Sequence, residues 1–256
     1  MKVTVIHNTY DKNVYVRESA ILNIKALEES GVDYQYIIFN DKGDITIKDD
    51  IEDLIGDKVE YIYSDYNFGL KLTSGGWVGA IPHIQGDYVH NIGQDDVFTS
   101  KFYERLFERL ENPNVYLAYA NGWVVDPLLV ATGQLMGPLG NVDYSNPREV
   151  FNSWFQKRGN ILTAANNYIP APGVIYKKTL HDLIGPPDLE SFKGSADFEY
   201  WARVLFTNLG VSYDPFPTWL YRMSEFSYGS MSTADQGVPK WNQLILKKYQ
   251  EKISNE

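Results

Sequence analysis

The order of apolar and amphipathic segments at the start of the chain restricts the possible folds most strongly. Residues 3–6 form a short apolar run that predicts a buried strand, and residues 34–39 predict a second one. Between them, residues 14–30 carry apolar side chains at helical spacing, and Gly31 is typical of a helix stop. A strand, a helix and a strand in this order predict a right-handed βαβ unit in a parallel sheet.

The same alternation continues through the rest of the chain. Further strands are predicted at residues 59–63, 88–92, 115–119 and 172–176, and helices at 49–55, 99–110, 148–156, 195–209 and 239–252. No linker rich in proline, serine or glycine and no internal repeat interrupts this order. The chain is therefore predicted to form one α/β domain over residues 1–256, with a mostly parallel central sheet flanked by helices.

One long segment departs from the alternation. Residues 122–167 are irregular in pattern, punctuated by glycine and proline, with a single predicted helix. A long insertion over the rim of a sheet is more often a substrate-covering loop than a linker, so we expect it to shape one side of a binding site. Residues 239–256 are expected to pack on the body of the domain as a C-terminal helix.

Composition and charge exclude several functional classes. A formal net charge of −10 and the lack of any Lys/Arg cluster argue against a nucleic-acid partner and a polybasic membrane anchor. The absence of cysteine excludes disulfides, thiolate nucleophiles and cysteine-bound zinc. The N-terminus lacks the apolar length of a signal peptide, and no apolar run reaches the roughly 18 residues of a transmembrane helix. We therefore expect a soluble, cytoplasmic protein.

Two adjacent acids follow the predicted strand at residues 88–92, in the turn Gly93-Gln94-Asp95-Asp96. In open α/β sheets ligands bind at the carboxyl ends of the strands, and two carboxylates there can hold a hard divalent cation. The same acids followed by Thr-Ser also suit a turn and a helix N-cap, which is the simpler local interpretation. Only the rest of the chain can decide between the two.

Two other charged residues also admit both a structural and a functional interpretation. Asp197 lies in the first turn of a predicted helix, where a carboxylate interacts favourably with the helix dipole. The same carboxylate can take a proton from an incoming hydroxyl if a substrate binds nearby. Arg222 can pair with phosphate oxygens as readily as with a surface acid.

Glycines are frequent between residues 69 and 79 and suggest a phosphate-binding loop. Their spacing matches neither the P-loop nor the dinucleotide fingerprint, and no Lys-Ser/Thr pair follows. A helix start packed closely against the sheet is the better interpretation.

A set of motifs occurs in a characteristic order along residues 2–228. They are the first strand with Thr9-Tyr10, the turn Asn40-Asp41, Gly86-Asp87-Tyr88-Val89 leading to Gln94-Asp95-Asp96, the stretch from Ala196-Asp197 to Arg203, and Tyr221-Arg222. In order and spacing they resemble the family 2 glycosyltransferases of GT-A fold. The resemblance implies transfer of a sugar, with inversion, from a nucleotide-diphosphate donor, usually with Mn²⁺ or Mg²⁺. It also implies a glycan or lipid-linked acceptor, as in polysaccharide biosynthesis.

The resemblance assigns donor contacts residue by residue. Thr9 and Tyr10 match the motif after the first strand, beside the nucleotide. Asn40 and Asp41 match the turn that contacts the base, usually uracil, so the expected donor is a UDP-linked sugar.

The resemblance also assigns the metal ligand and the base. Asp95 matches the last acid of the metal-binding DxD-type motif, and Asp96 matches the acid that often follows it. Gln94 and Arg222 are expected to contact the donor. Asp197 matches the acceptor-activating base, and the insertion at residues 122–167 is expected to shape the acceptor side.

Several positions depart from the family pattern. Gly93 stands where the first acid of the DxD motif is usual, Ala196 replaces the acid before the base, and Ser224 replaces a common histidine. The Arg-Asn pair expected before the central helix is not recognisable in residues 73–80. A catalytically silent sugar-nucleotide or glycan-binding module on the same fold is therefore the alternative. A nucleotidyltransferase would need a Gly-rich basic loop after the first strand, which residues 8–13 do not supply.

Overall fold

The architecture is taken from a computed structural model, which describes residues 1–11, 14–68, 75–138, 142–156, 169–223 and 238–254. The strands are β1 Lys2–Thr9, β2 Asp33–Asn40, β3 Val59–Tyr63, β4 Tyr88–Ile92, β5 Val97–Phe98, β6 Val115–Val125, β7 Ala131–Leu135, β8 Val174–Lys177 and β9 Gly210–Arg222. The α-helices are α1 Tyr15–Ser30, α2 Ile47–Ile51, α3 Gly76–Gly79, α4 Ser100–Leu110, α5 Pro147–Gln156, α6 Leu180–Ile184, α7 Leu189–Phe192, α8 Ala196–Phe206 and α9 Val238–Ser254.

The described strands form one sheet in the order β3-β2-β1-β4-β8-β6-β9-β5, with β7 paired to β6. β1 is parallel to β2 and β4, and β2 is parallel to β3, which confirms the predicted βαβ unit. β8 runs antiparallel to β4 and β6, whereas β6 and β9 are again parallel. The longest ladders are parallel, and the predicted α/β class with a mostly parallel sheet is confirmed.

Two apolar cores lie on opposite faces of the sheet because alternate residues of a strand point to opposite sides. Val5, from β1, belongs to the core that α1, α2 and α4 cover. Ile6, its neighbour in the same strand, belongs to the core covered by α3, α5, α6, α7, α8 and α9. The domain therefore has three layers, with helices on both faces of the sheet.

The predicted helix boundaries follow from local chemistry. α1 ends at Gly31, which adopts φ 69° and donates its N–H to the Glu28 carbonyl, as a left-handed C-cap does. α3 begins at Gly76, where an added Cβ would lie 2.9 Å from Cβ of Phe39 on β2. This close approach confirms the interpretation as helix–sheet packing for Gly76. No helix of the described ranges is both long and apolar enough to cross a bilayer.

Two parts of the sheet differ from the prediction. β6 continues to Val125 and pairs with β7, so the insertion at residues 122–167 begins as a β-hairpin. The expectation that the insertion is irregular up to its helix is therefore wrong at its start. β9 was not predicted, because Pro215 and Pro217 interrupt its apolar pattern. The β6–β9 ladder shifts register at Asn121, opposite Pro217, and such irregularities are where a strand tolerates proline.

Some predictions fall outside the described residues. They concern Ser224, residues 73 and 74 of the segment searched for the Arg-Asn pair, and residues 139–141 and 157–167 of the insertion.

Candidate active site

The carboxyl ends of three parallel strands meet at one rim of the sheet. In the β1–β2 ladder Thr9 pairs with Asn40, and in the β1–β4 ladder His7 pairs with Ile92. The acidic turn 93–96 therefore leaves the sheet beside Thr9 and Asn40. This rim is where open α/β sheets bind ligands.

Helix α8 brings Asp197 towards the same rim from the other face of the sheet. β9 is parallel to β6, and β6 has the same direction as β4 because β8 is antiparallel to both. α8 ends at Phe206 and β9 begins at Gly210, next to the start of β6. The C-terminal end of α8 thus lies at the amino-terminal rim, and its N-terminal turn points towards the carboxyl rim.

The two acids of the turn are buried side by side. Asp95 is 7% exposed and Asp96 2% exposed. One Asp96 oxygen, Oδ2, accepts a hydrogen bond from the Gly93 N–H at 3.2 Å, while Oδ1 is buried with no protein partner. Burial, with the adjacent charge of Asp95, raises the pKa of Asp96 well above its usual range. An inward carboxylate oxygen without a partner is suited to a cation or a polar ligand atom.

Gly93 gives Asp96 the space that its carboxylate occupies. A Cβ at position 93 would lie 2.8 Å from Oδ2 of Asp96, closer than such atoms normally approach. The Asp96 carboxylate can therefore turn inward because position 93 carries no side chain.

Arg222 supports the turn from behind. It is 1% exposed, and its Nε donates to the Asp95 carbonyl at 3.3 Å. Its Nη1 donates to the Pro127 carbonyl in the β6–β7 hairpin at 3.0 Å, and its Nη2 pairs with Glu18 at 2.6 Å. The guanidinium also lies 4.2 Å from the ring centroid of Tyr15. These contacts connect the turn to α1 and to the hairpin, so the structure places Arg222 in a supporting position.

Thr9 and Asn40 build the neighbouring loop with their side chains. The Thr9 hydroxyl donates to the Phe39 carbonyl at 3.2 Å. The Asn40 amide donates to Tyr61 at 2.9 Å and to the Asp44 carbonyl at 2.8 Å, and its oxygen accepts from Gly43 N–H at 2.7 Å. Both side chains are fully buried. They fix the loop after β2 and do not extend from the rim.

Tyr10 and Asp41 complete that loop. Tyr10 is partly exposed, and its carbonyl accepts the Asp44 N–H at 2.7 Å. A Cβ on Gly43 would collide with the Tyr10 carbonyl, so only glycine fits there. Asp41 is 1% exposed and accepts the Phe68 N–H at 2.8 Å. Of the residues predicted to bind the nucleotide, Tyr10 is the one that is not buried.

Asp197 is partly exposed, in contrast to the two acids of the turn. Burial raises the pKa of its carboxyl to about 6, against the opposing effect of the backbone N–H groups of the first helical turn. Ala196, where an acid was expected, is 2% exposed and belongs to the apolar core. A carboxyl with a pKa near neutrality is suited to proton transfer.

The rest of α8 fixes this position. Glu199 is fully buried and accepts hydrogen bonds from Arg203 at 2.8 Å and from Lys248 and Tyr249 of α9 at 2.6 and 3.0 Å. Trp77 of α3 packs against the α8 ring of Trp201 at a centroid distance of 5.4 Å. α8 is therefore attached both to the C-terminal helix and to the rim.

Three residues near the rim were not predicted to be functional from the sequence. Asn8 donates to Asn91 Oδ1 at 2.8 Å and to the Ile92 carbonyl at 2.7 Å, and its own oxygen is buried without a partner. Ser19 and Asn23, on α1, bond to the backbone of the acidic turn. Buried amides and hydroxyls inside regular elements give no local sequence signal, so only the fold shows their position.

No cluster of three His, Cys, Asp or Glu suited to a metal occurs in the part of the chain that the structure describes. Among the described residues, the candidate ligands for a cation at the turn are Asp95 and the free oxygen of Asp96. Mg²⁺ and Mn²⁺ commonly bind through one or two carboxylates, with substrate phosphates and water completing the sphere. The residues fit such an ion together with a diphosphate.

Comparison with solved structures defines the class of the fold. A crystal structure of S. aureus TarS residues 1–349 in complex with UDP-GlcNAc aligns with a TM-score of 0.64 and 15% identity, covering 96% of this chain and 65% of that chain. The complex of the same fragment with UDP aligns with a TM-score of 0.57 and 14% identity, covering 88% and 61%. The chain spans less than two thirds of either structure. Comparison with curated proteins finds no match.

The sheet order, the acidic turn and these similarities define a GT-A fold. Residues 4–174, more than half of the chain, match the sequence profile described as Glycosyl transferase family 2. The protein belongs to glycosyltransferase family 2, and the predicted family is confirmed.

We predict that Gly93→Ala and Asp96→Ala are energetically coupled. Gly93→Ala alone should lower the free energy of unfolding by about 1–3 kcal/mol, because the added methyl overpacks against the Asp96 carboxylate. In an Asp96→Ala background the same change should cost close to nothing. Chemical denaturation of the four proteins measures this coupling.

Gly56→Ala is the matched control, since no atom lies within 4 Å of a Cβ at that position. It should behave identically in both backgrounds. Additive effects of Gly93→Ala and Asp96→Ala would contradict the packing described here.

Proposed function

We propose that this protein is an inverting glycosyltransferase that moves a sugar from a UDP-linked donor to a hydroxyl acceptor. The observation that carries the proposal is the pairing of two sites at one rim. Asp197, which is partly exposed and has a pKa of about 6, lies in the first turn of α8, and the buried Asp95–Asp96 pair lies in the turn that follows β4. One carboxylate can accept a proton while the others face a cation and a diphosphate.

The donor is assigned to the side of β1, β2 and β4. Tyr10 is the partly exposed aromatic residue beside the loop that Thr9, Asn40 and Asp41 build, where the base would bind. The aligned TarS structures contain UDP and UDP-GlcNAc, which supports UDP as the nucleotide. The acceptor, a glycan or a lipid-linked hydroxyl, would enter beside the β6–β7 hairpin.

In the proposed reaction, Asp197 acts as the base for the acceptor hydroxyl. As the acceptor oxygen attacks the anomeric carbon, its proton passes to the Asp197 carboxylate, and the bond from that carbon to the diphosphate oxygen breaks. The electron pair of that bond leaves with the diphosphate. Attack from the face opposite the leaving group inverts the anomeric configuration. Asp197 must therefore be ionised at the start of the reaction.

Asp95, with Asp96, would hold Mg²⁺ or Mn²⁺ on the donor side. The ion, when bound, supplies positive charge that stabilises the leaving diphosphate. Arg222 keeps the Asp95 backbone in place, so that the carboxylates need little reorganisation when the donor binds.

Asp197→Asn should abolish sugar transfer while leaving UDP binding intact. The amide keeps the size of the side chain but cannot accept the proton, so kcat should fall about 100- to 10,000-fold. Donor turnover with a panel of UDP-sugars, together with calorimetry of UDP binding, measures both effects.

Asp182→Asn is the matched control, because Asp182 is exposed on the neighbouring helix α6. It should retain full activity. Full activity of Asp197→Asn would refute the assignment of the base. UDP binding without turnover of any donor by the wild-type protein would favour the silent binding module.

The rate of transfer should rise with pH through the pKa of Asp197. Below about 6 the carboxyl is protonated and cannot act as a base, so kcat should fall about tenfold per pH unit; above it kcat should level off. The residual activity of Asp197→Asn should lack this limb. An identical pH limb in that variant would assign the titration to another group.

Asp95→Ala should weaken Mn²⁺-dependent binding of UDP at least about tenfold, because it removes a negatively charged ligand. Calorimetry with Mn²⁺ and with EDTA separates the metal-dependent part. Asp87→Ala, an exposed acid at the opposite end of β4, is the control and should bind as the wild type does. Unchanged Mn²⁺-dependent binding by Asp95→Ala would contradict the metal assignment.

A further inference from the structure

Helix α1 buries two polar side chains on the face that packs against the acidic turn. Ser19 and Asn23 lie one helical turn apart, and both are fully buried. Serine and asparagine favour helices less than alanine or leucine, and burying their polar groups is unfavourable unless they form hydrogen bonds. Apolar side chains would fill this face at a lower free-energy cost, so the two polar side chains are expected to have a specific role.

Their hydrogen bonds go to the backbone of the turn. The Ser19 hydroxyl lies 2.8 Å from the Gln94 carbonyl oxygen, to which it donates. The Asn23 amide donates to the Asp96 carbonyl at 3.0 Å, and its oxygen accepts the Phe98 N–H at 2.8 Å. Asn23 therefore bridges the last residue of the turn and the strand that follows it.

With Arg222, these side chains satisfy three successive carbonyls. The Asp95 carbonyl, between the other two, accepts from Arg222 Nε. The turn leaves the β4 ladder after Ile92, so these carbonyls need partners outside that ladder. Each of them is instead held by a side chain from another element. The backbone that orients both carboxylates is thus fixed from α1 and β9.

A buried histidine supports this arrangement from the sheet. His7 Nδ1 lies 2.9 Å from the Tyr36 hydroxyl, and Nε2 lies 3.4 Å from the Ser19 hydroxyl. Burial lowers the pKa of His7 to about 4, so the ring is neutral near pH 7. A series of contacts thus runs from Tyr36 on β2, through His7 on β1, to Ser19 and the turn.

We propose that Ser19 and Asn23 are positioning residues for the donor site: they hold the backbone of residues 94–96 so that Asp95 and Asp96 are presented to the diphosphate and its cation. This inference rests on the proposed function. Its physical basis is preorganisation, since a small displacement of a group that interacts with the reacting centre lowers the rate sharply.

The test compares Ser19→Ala and Asn23→Ala with Ser30→Ala. Ser30 lies on the same helix, and its hydroxyl, like that of Ser19, lies within hydrogen-bond distance of the carbonyl three residues earlier; for Ser30 that carbonyl belongs to Leu27, and the side chain does not bond to the turn. All measurements are made well below the melting temperature of every variant. They are the hydrogen exchange of amides 93–98, kcat/KM, and the Mn²⁺-dependent Kd for UDP.

Both Ser19→Ala and Asn23→Ala should accelerate exchange in the turn about tenfold or more and lower kcat/KM about 10- to 100-fold. Ser30→Ala should change neither the exchange in the turn nor kcat/KM nor Kd, even if it lowers the melting temperature as much as the other two substitutions do. Ser19→Thr, which keeps the hydroxyl, should restore most of the activity. Asn23→Asp keeps the acceptor for Phe98 but loses the donor to Asp96, so it should resemble Asn23→Ala.

Unchanged exchange in the turn would overturn the proposal whatever the activity. Faster exchange with unchanged kcat/KM and Kd would also overturn it, because the contacts would then be structural only. A wild-type protein that neither binds UDP nor turns over any UDP-sugar would refute the proposed function, and the role at a donor site would fall with it. The exchange data, which need no substrate, distinguish these failures.

Discussion

The burial of two adjacent carboxylates at the end of β4 is the constraint on which the rest of the site depends. Asp95 and Asp96 are almost completely removed from water, and two like charges in such a position are unfavourable unless nearby dipoles and cations compensate. The Gly93 N–H and Arg222, which is itself buried and paired with Glu18, offset part of this cost, and the pKa of Asp96 still lies well above its usual range. The turn, α1 and β9 therefore form one electrostatic unit.

The two halves of the site rest on different cores. The acidic turn is supported by α1, on the face of the sheet that also carries α4. Asp197 lies in the first turn of α8, on the opposite face. α8 is held in turn by Glu199, through Lys248 and Tyr249 of α9. The sheet lies between the two halves and fixes their relation. In the proposed reaction, this arrangement separates the group that takes a proton from the groups that face a diphosphate.

Much of this could be predicted because it rests on local patterns. Periodicity located β1, α1, β2 and the helix that carries Asp197 in its first turn, and the order of motifs identified the family. β7 and β9 were missed, because glycine in one and prolines in the other interrupt a pattern that pairing with β6 sustains. Sequence also cannot show the direction of a side chain. Thr9 and Asn40 end β1 and β2 with their side chains turned inward, and nothing in the local pattern of α1 indicates that Ser19 and Asn23 bond to the backbone of the acidic turn.

A crystal structure of the protein with UDP and Mn²⁺ tests the central claim most directly. The account predicts the diphosphate at the carboxyl rim and the ion bound to Asp95, with an unchanged backbone at residues 94–96. Asp197 should face the sugar side of the diphosphate without touching the ion. A nucleotide bound elsewhere, or an ion coordinated by Asp197, would contradict the account.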